Sequence, residues 1–555
     1  MYLGIDVGGT HTDGARLNDS FAIETTAKIP TRPGDVLGSF RDILTPLLAG
    51  INLAKVRRLV ISSTLGLNAI LTGQAEAVGV LATGGPGLGA EYFGKGPLYA
   101  PLTGQQDHRG EVLQTQDKTE AWAAVERLLA AGAEAFAVIS KFGPKNPELE
   151  NILAAAVRLK ASNRPLTEAS RLSGRLNFPR RLNTAIFNSS VTRLYEDFIS
   201  NLEAAAHDFG LTCPLRLLTA DGGALTLEDA RLKPVQVLAA GPAAGLLGLW
   251  SLASLTDDAL MVDIGGTSTD LAVIADGEPL LTTEGLEING YPTLVRAFLT
   301  QSIALGGDLG LVSHQGRVEF IERREGPALA LCPKEVGRRP PTFTDALNVL
   351  GLTAVGQIEV SQEALAALAP ERPALKTAAA TLETALAIIR TATGNLLNQV
   401  NNRPVYTLNE IRLTRPVTPK VVAFLGGPAA ALAKPVAETL GLTALTPPEA
   451  AVANAIGAAR SRPCLAANLY ADTALGTLTV PTLGFKKTIG RDYNVSQAKA
   501  ELIAVLTEAL TRLPEAGPPQ ITEVETFNQL TSYGQADKII RLRAQSRAGL
   551  LGTAL

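Results

Sequence analysis

The octapeptide Asp6-Val7-Gly8-Gly9-Thr10-His11-Thr12-Asp13 recurs as Asp263-Ile264-Gly265-Gly266-Thr267-Ser268-Thr269-Asp270, with six of eight positions identical. Each copy follows an apolar run, YLGIDV in the first and ALMVDI in the second, so each reads as a strand that breaks at a glycine pair. One copy alone is a tight hairpin corner. Two copies at strand ends predict a chain built of two similar halves. The chemistry of such a turn comes from its residue types. Paired glycines let backbone N–H groups approach a ligand closely, and threonine hydroxyls add donors for phosphate oxygens. An aspartate at the strand end supplies an oxygen ligand for Mg²⁺, a cation that keeps part of its water shell. Facing turns of this kind would grip a nucleotide polyphosphate from both sides. Asp6 and Asp263 are the expected metal-facing carboxylates. Gly8, Gly9, Thr10, Thr12, Gly265, Gly266, Thr267 and Thr269 are the expected phosphate contacts, with His11 and Ser268 inside the same turns. Asp13 and Asp270 orient the threonines or a water, or cap the following turn. A third glycine site, Gly426-Gly427 after the strand Val421 to Phe424, suits an adenosine ring and ribose.

Around these turns the sequence alternates strand and helix signals. Apolar runs at 56–64, 77–85 and 134–142 read as strands, and 119–132 and 146–160 as helices, which predicts α/β layers. Further helices are expected at about 184–209 and 373–402, and a small mixed α/β unit from about 462. The run from Val235 to Leu255 carries no charge and is near the length of a membrane span, but Pro242 and three glycines interrupt it. It reads as a glycine turn and a buried helix. At 555 residues the chain holds about three or four domains at roughly 100–200 residues each.

Composition narrows the function classes. Fifty Lys plus Arg against 53 Asp plus Glu leave no basic excess for a nucleic-acid backbone. The start, MYLGIDVGGT, lacks the basic and long apolar regions of a signal peptide. Cys213, Cys332 and Cys464 form neither a disulfide framework nor a CxxC pair, which suits a reducing cytoplasm. His11, His108, His207 and His314 show no zinc spacing.

The order of two phosphate turns and a later GGP resembles the actin, Hsp70 and sugar-kinase superfamily of ATPases. Within it the chain resembles the hydantoinase A and 5-oxoprolinase family, which includes the acetone carboxylase β subunit. The blocks that carry the resemblance are GIDVGGTHTDG (4–14), STLGLNAIL (63–71), HRGEVL (108–113), KFGPKNPELE (141–150), TADGGALTLEDARLKPVQVLAAGPAAG (219–245), VDIGGTSTDLAVI (262–274), PTFTDALNVLG (341–351) and VAFLGGPAA (422–430). The resemblance implies two actin/Hsp70-like (RNase H-like) lobes with a nucleotide cleft, divided as 1–180, 181–461 and a small C-terminal α/β unit at 462–555. It implies ATP and Mg²⁺ as cofactors and a small cyclic amide as substrate. The activity implied is phosphorylation of the amide oxygen, with hydrolysis completed by a hydantoinase B-like partner subunit. A homo-oligomer is compatible with it; a nucleic-acid or membrane partner is not expected.

Several positions depart from the family pattern. His11 stands where phenylalanine is common, and Leu149 replaces a histidine. Ala240-Gly241-Pro242-Ala243-Ala244-Gly245 lacks a serine hydroxyl, and Leu305-Gly306-Gly307-Asp308 shortens a glycine run. The substrate is therefore the least constrained inference, and a small-molecule kinase or an ATPase switch acting on a partner protein would use the same turns. The scattered cysteines argue against an iron–sulfur version of such a switch.

Overall fold

The duplicated motif founds two sheets of one design. A computed structural model describes the chain apart from residues 33, 283, 315–316, 403–414, 514, 531–535, 548 and 553–555 and the side chains of 322, 530 and 536. In the first sheet Tyr2–Val7 pairs antiparallel with His11–Leu17, which pairs antiparallel with Ile23–Pro30. Arg58–Ser63 lies parallel on the other flank of Tyr2–Val7, and Leu215–Leu218 lies parallel beyond it. In the second sheet Ala259–Ile264 pairs antiparallel with Thr269–Ala275, and that strand with Thr300–Ile303. Val421–Leu425 and then Thr443–Leu445 continue in parallel on the opposite flank. Both sheets therefore run third, second, first, fourth, fifth strand, the RNase H-like order. The register repeats too: Asp6 lies opposite Asp13, and Asp263 opposite Asp270.

The first sheet draws on chain from both sides of residue 180. Between Arg58–Ser63 and Leu215–Leu218 the chain builds a separate sheet, ordered Val112–Gln114, Tyr99–Gln106, Val78–Gly84, Ala135–Ser140 and Leu166–Glu168. Its central strands, Val78–Gly84 and Ala135–Ser140, are buried along their whole length, which fits continuous apolar runs covered on both faces. The helix Lys118–Ala130 starts where the Asp117 carboxylate accepts from the N–H groups of Thr119 and Glu120, and it buries Ala121, Val125 and Leu128 on one face. Leu149 packs in the core of this inserted unit, fully buried. The last unit is a five-stranded antiparallel sheet spanning residues 466 to 546, covered by the helix Val495–Leu510, which buries Ala498, Leu502, Leu506 and Leu510.

The uncharged stretch from Val235 becomes a short 3₁₀ turn and the helix Ala240–Ala253. It is apolar on nearly all sides because it lies between the two sheets, against Val60 and Leu218 of one and Met261 and Ala423 of the other. Among the described residues no helix is long and apolar enough to cross a membrane. The helix Ala453–Arg460 packs against it through bare backbone. A Cβ on Gly457 would fall 2.5 Å from the Gly248 nitrogen and onto the Ala244 carbonyl, and one on Gly248 would strike the Ala453 carbonyl. Gly4, in the first strand, touches the same helix; its Cβ would sit 2.5 Å from the Ala459 nitrogen.

Gly457→Ala is expected to destabilise the protein by roughly 2–3 kcal/mol or more, because rigid backbone has to give way. Gly394, within the helix Ala374–Asn401, has open space where a Cβ would go. Gly394→Ala is expected to stabilise its helix by up to about 1 kcal/mol. Paired denaturant titrations of the two variants check both signs.

Candidate functional site

Both copies of the octapeptide fold as the same corner. The Gly8 N–H donates to the His11 carbonyl at 3.1 Å, and the Gly265 N–H to the Ser268 carbonyl at 2.9 Å. In each lobe, chain leaving the third strand takes up the carbonyls of the turn. Thr31 donates its N–H to Thr10 (2.9 Å) and its hydroxyl to Gly8 (2.8 Å). In the second lobe the Gly307 N–H donates to Gly265 (3.0 Å) and the Asp308 N–H to Gly266 (2.7 Å). The N–H groups of Gly9, Thr10, Gly266 and Thr267 have no hydrogen-bond partner among the described residues, and Gly9, Thr10 and Thr267 are exposed at the tips. Corners with free N–H groups of this kind can receive an anion.

The threonines divide into two roles. Thr10 and Thr267 sit at the tips. Thr12 and Thr269 are fully buried: Thr12 shares a 2.9 Å hydrogen bond with the Thr31 hydroxyl, and Thr269 donates to the Leu305 carbonyl at 2.6 Å. Contrary to the expectation that all four reach phosphate, strand alternation turns Thr12 and Thr269 inward.

The aspartates form a graded set. Asp6 is buried; its Oδ2 accepts from Asn454 Nδ2 at 3.0 Å, and its Oδ1 is buried without a hydrogen-bond partner. Burial, reinforced by the charge of Asp13, pushes its carboxyl up to about 6 against the opposing pull of Ser62 and Asn454. Asp263 is half-buried at the cleft floor. Loss of water, then the charges of Asp270 and Asp6, push it up to about 8. Gly245 and Gly426 wall this carboxylate. A Cβ on Gly245 would lie 3.1 Å from Asp263 Oδ2, and one on Gly426 3.0 Å from Oδ1. Gly426 also holds φ +96°, a left-handed conformation that favours glycine. Gly427 beside it is exposed. Asp13 and Asp270 are raised as well, burial first in each. Asp13 is held by Lys28, whose Nζ lies 2.7 Å and 2.9 Å from its oxygens and also donates to the Ala451 carbonyl at 3.0 Å. That bond locks Asp13 into the scaffold.

His11 faces the second lobe, where it senses the charges of Asp308 and Arg324; burial is the main cause that lowers its pKa and favours the neutral ring. Arg324 Nε bonds Asp308 Oδ2 at 2.9 Å, and that oxygen lies 2.8 Å from where a Gly266 Cβ would be. Sequence reasoning missed Asn454, Lys28 and the Asp308–Arg324 pair. None belongs to a local motif, and Asn454 reaches Asp6 only through helix packing.

The donor set fits Mg²⁺. The carboxyls of Asp6 and Asp263 converge with an unpartnered buried oxygen, and a divalent cation would favour their ionised form in place of a proton. Among the described residues no cluster of three or more His, Cys, Asp or Glu forms a metal site. Beside the first turn a cavity of about 460 Å³ opens between Gly8-Gly9, residues 63–69 and the helix Phe178–Asp208.

Residues 181–465 match the hydantoinase/oxoprolinase family model, and residues 2–160 match the hydantoinase/oxoprolinase N-terminal region. The chain belongs to the hydantoinase/oxoprolinase family. An uncharacterized protein of Methanocaldococcus jannaschii is 24% identical over 511 residues, 82% of this chain and 72% of that protein. The caprolactamase subunit alpha of Pseudomonas jessenii is 24% identical over 394 residues, 64% of this chain and 55% of the subunit. This family member thus spans about half the length of that subunit in the match. The fold is shared with a nucleotide-free acetone carboxylase structure (TM-score 0.71, 17% identity, 99% of this chain and 88% of that one). It is shared equally with the ATP-dependent caprolactamase of Pseudomonas jessenii (TM-score 0.70, 18% identity, 99% and 87%).

The raised carboxylates set a pH dependence. Folded Asp263 keeps its proton up to about pH 8, whereas the unfolded carboxyl releases it near pH 4. The folded state therefore binds more protons across that window, and its stability falls as pH rises through it. Without nucleotide or divalent cation, Asp263→Asn is expected to melt at least about 1 °C above the parent at pH 8.5, with the gap closing towards pH 5. Thermal melts across that range check it.

Proposed function

We propose that this chain is an ATP-dependent subunit that phosphorylates the carbonyl oxygen of a cyclic amide, and that a partner subunit completes the hydrolysis. The observation that carries the reading is the convergence of Asp6 and Asp263 beneath two equivalent anion-binding turns. Membership of the hydantoinase/oxoprolinase family and the likeness to a caprolactamase subunit support it. Thr10, Thr267 and the free N–H groups of the turns hold the phosphates. Asp6 and Asp263 would hold Mg²⁺, which would neutralise charge on the polyphosphate. Gly426 and Gly427 border the nucleoside.

The chemistry fits an amide, which is a poor electrophile. Transfer forms a C–O–P linkage, breaks the bond from Pγ to the β,γ-bridging oxygen and releases ADP. The ring nitrogen loses its proton, leaving an O-phosphorylated imidate. Water then adds at the activated carbon and the ring C–N bond opens to an acyl phosphate. A second water releases phosphate and carboxylate. The first step needs positioning and charge stabilisation, which rigid turns supply. The steps with water belong to the partner. We place the protein in the cytoplasm, in keeping with its three free cysteines.

ADP release by the chain with its co-purified partner is expected to rise on addition of a cyclic amide. Asp6→Ala and Asp263→Ala should each lower that stimulated rate by about 10²-fold or more. A stable phosphorylated product from the chain alone would instead indicate a kinase, and amide-independent ADP release would remove the amide from the reading.

A further inference from the structure

The cavity beside the first turn has chemically specific walls. Leu65, Ala69, Ala75 and Leu194 make it largely apolar, and Asn68 and Gln74 bring amide groups to its edge. Its volume, about 460 Å³, suits a small ligand. One end is formed by Gly8 and Gly9, so an occupant would present its reactive atom to the first phosphate turn.

The charges of the wall are neutralised within the protein. Arg193 Nε lies 2.6 Å from Glu76 Oε1, and Glu196 and then Asp197 add negative charge around the same guanidinium. Arg32 Nη2 lies 2.6 Å from Asp42 Oδ2. Among the described residues that line the cavity there is no lysine and no arginine without an ion-pair partner. A carboxylate entering here would lose water and meet the negative charges of Glu76 and Asp197 with no free cation to receive it.

We infer that this cavity is the acceptor site and that it selects an uncharged cyclic amide or ureide over one bearing a carboxylate; the inference rests on the phosphoryl-transfer reading above. The side-chain amides of Asn68 and Gln74 offer both a donor and an acceptor, matching the C=O and N–H of a neutral ring amide.

The pair 2-pyrrolidinone and 5-oxoproline tests it, since both carry the same five-membered lactam and only the second carries a carboxylate. Calorimetric titration of the full chain, saturated with Mg²⁺ and a non-hydrolysable ATP analogue, is expected to show 2-pyrrolidinone binding at least tenfold tighter. Glu76→Gln, which removes the ion-pair partner of Arg193, should shift the affinity ratio at least tenfold towards 5-oxoproline. Ala75→Phe, which fills the cavity, should weaken 2-pyrrolidinone at least tenfold, with analogue affinity as the check on folding. Equal or tighter binding of 5-oxoproline by the parent overturns the selectivity. Failure of both lactams to bind, or binding that ignores Ala75→Phe, overturns the assignment of the cavity. Loss of analogue binding itself would strike the nucleotide reading instead.

Discussion

Everything at the cleft depends on the approach of three backbone segments that have no side chain between them. The helices Ala240–Ala253 and Ala453–Arg460 touch at Gly248 and Gly457, and the strand Tyr2–Val7 touches the second helix at Gly4. One methyl group at any of these positions would collide with main chain. Because the helices come this close, the ends of the two founding strands converge, and Asp263 meets the charge of Asp6. The same helix brings Asn454 to the Asp6 carboxylate. Packing by absence of side chains thus fixes the electrostatics of the site.

Those electrostatics leave the protein poised for a ligand. Carboxylates deprived of water are costly, and here loss of water and the charges of neighbouring acids act together, opposed only in part by Lys28. Other charges near the cleft are already committed: Lys28 to Asp13, and Arg324 to Asp308. Negative phosphate would therefore be met by N–H dipoles and by a cation on Asp6 and Asp263, not by a basic surface. A chain with a net charge of −3 can bind a polyanion in this way because the attraction is local.

The two halves and their turns were legible because the chemistry is local: strand, glycine pair, threonine and acid lie within eight residues. The same locality hid the rest. Thr12 and Thr269 carry the right hydroxyls, yet strand alternation points them into the protein, where Thr31 and Leu305 take them up. Asn454 lies far from Asp6 in sequence, and only the glycine-mediated helix contact joins them. The first sheet takes its fifth strand, Leu215–Leu218, from beyond the inserted unit. The boundary expected at residue 180 cannot reveal which sheet the later strand joins.

The duplication also explains why the halves could come to do different work. In both lobes the segment after the third strand binds the carbonyls of the turn and so aims its N–H groups at the cleft. That constraint is shared, and it suffices for holding phosphate. Beyond that segment the lobes diverge. In the second lobe Asp308 and Arg324 crowd the flank of the turn. In the first lobe the chain passes into the helix Val36–Leu48, and an open cavity remains against Gly8 and Gly9. In a transfer of the proposed kind both turns would hold the donor, and the open side of the first turn would leave space for the acceptor.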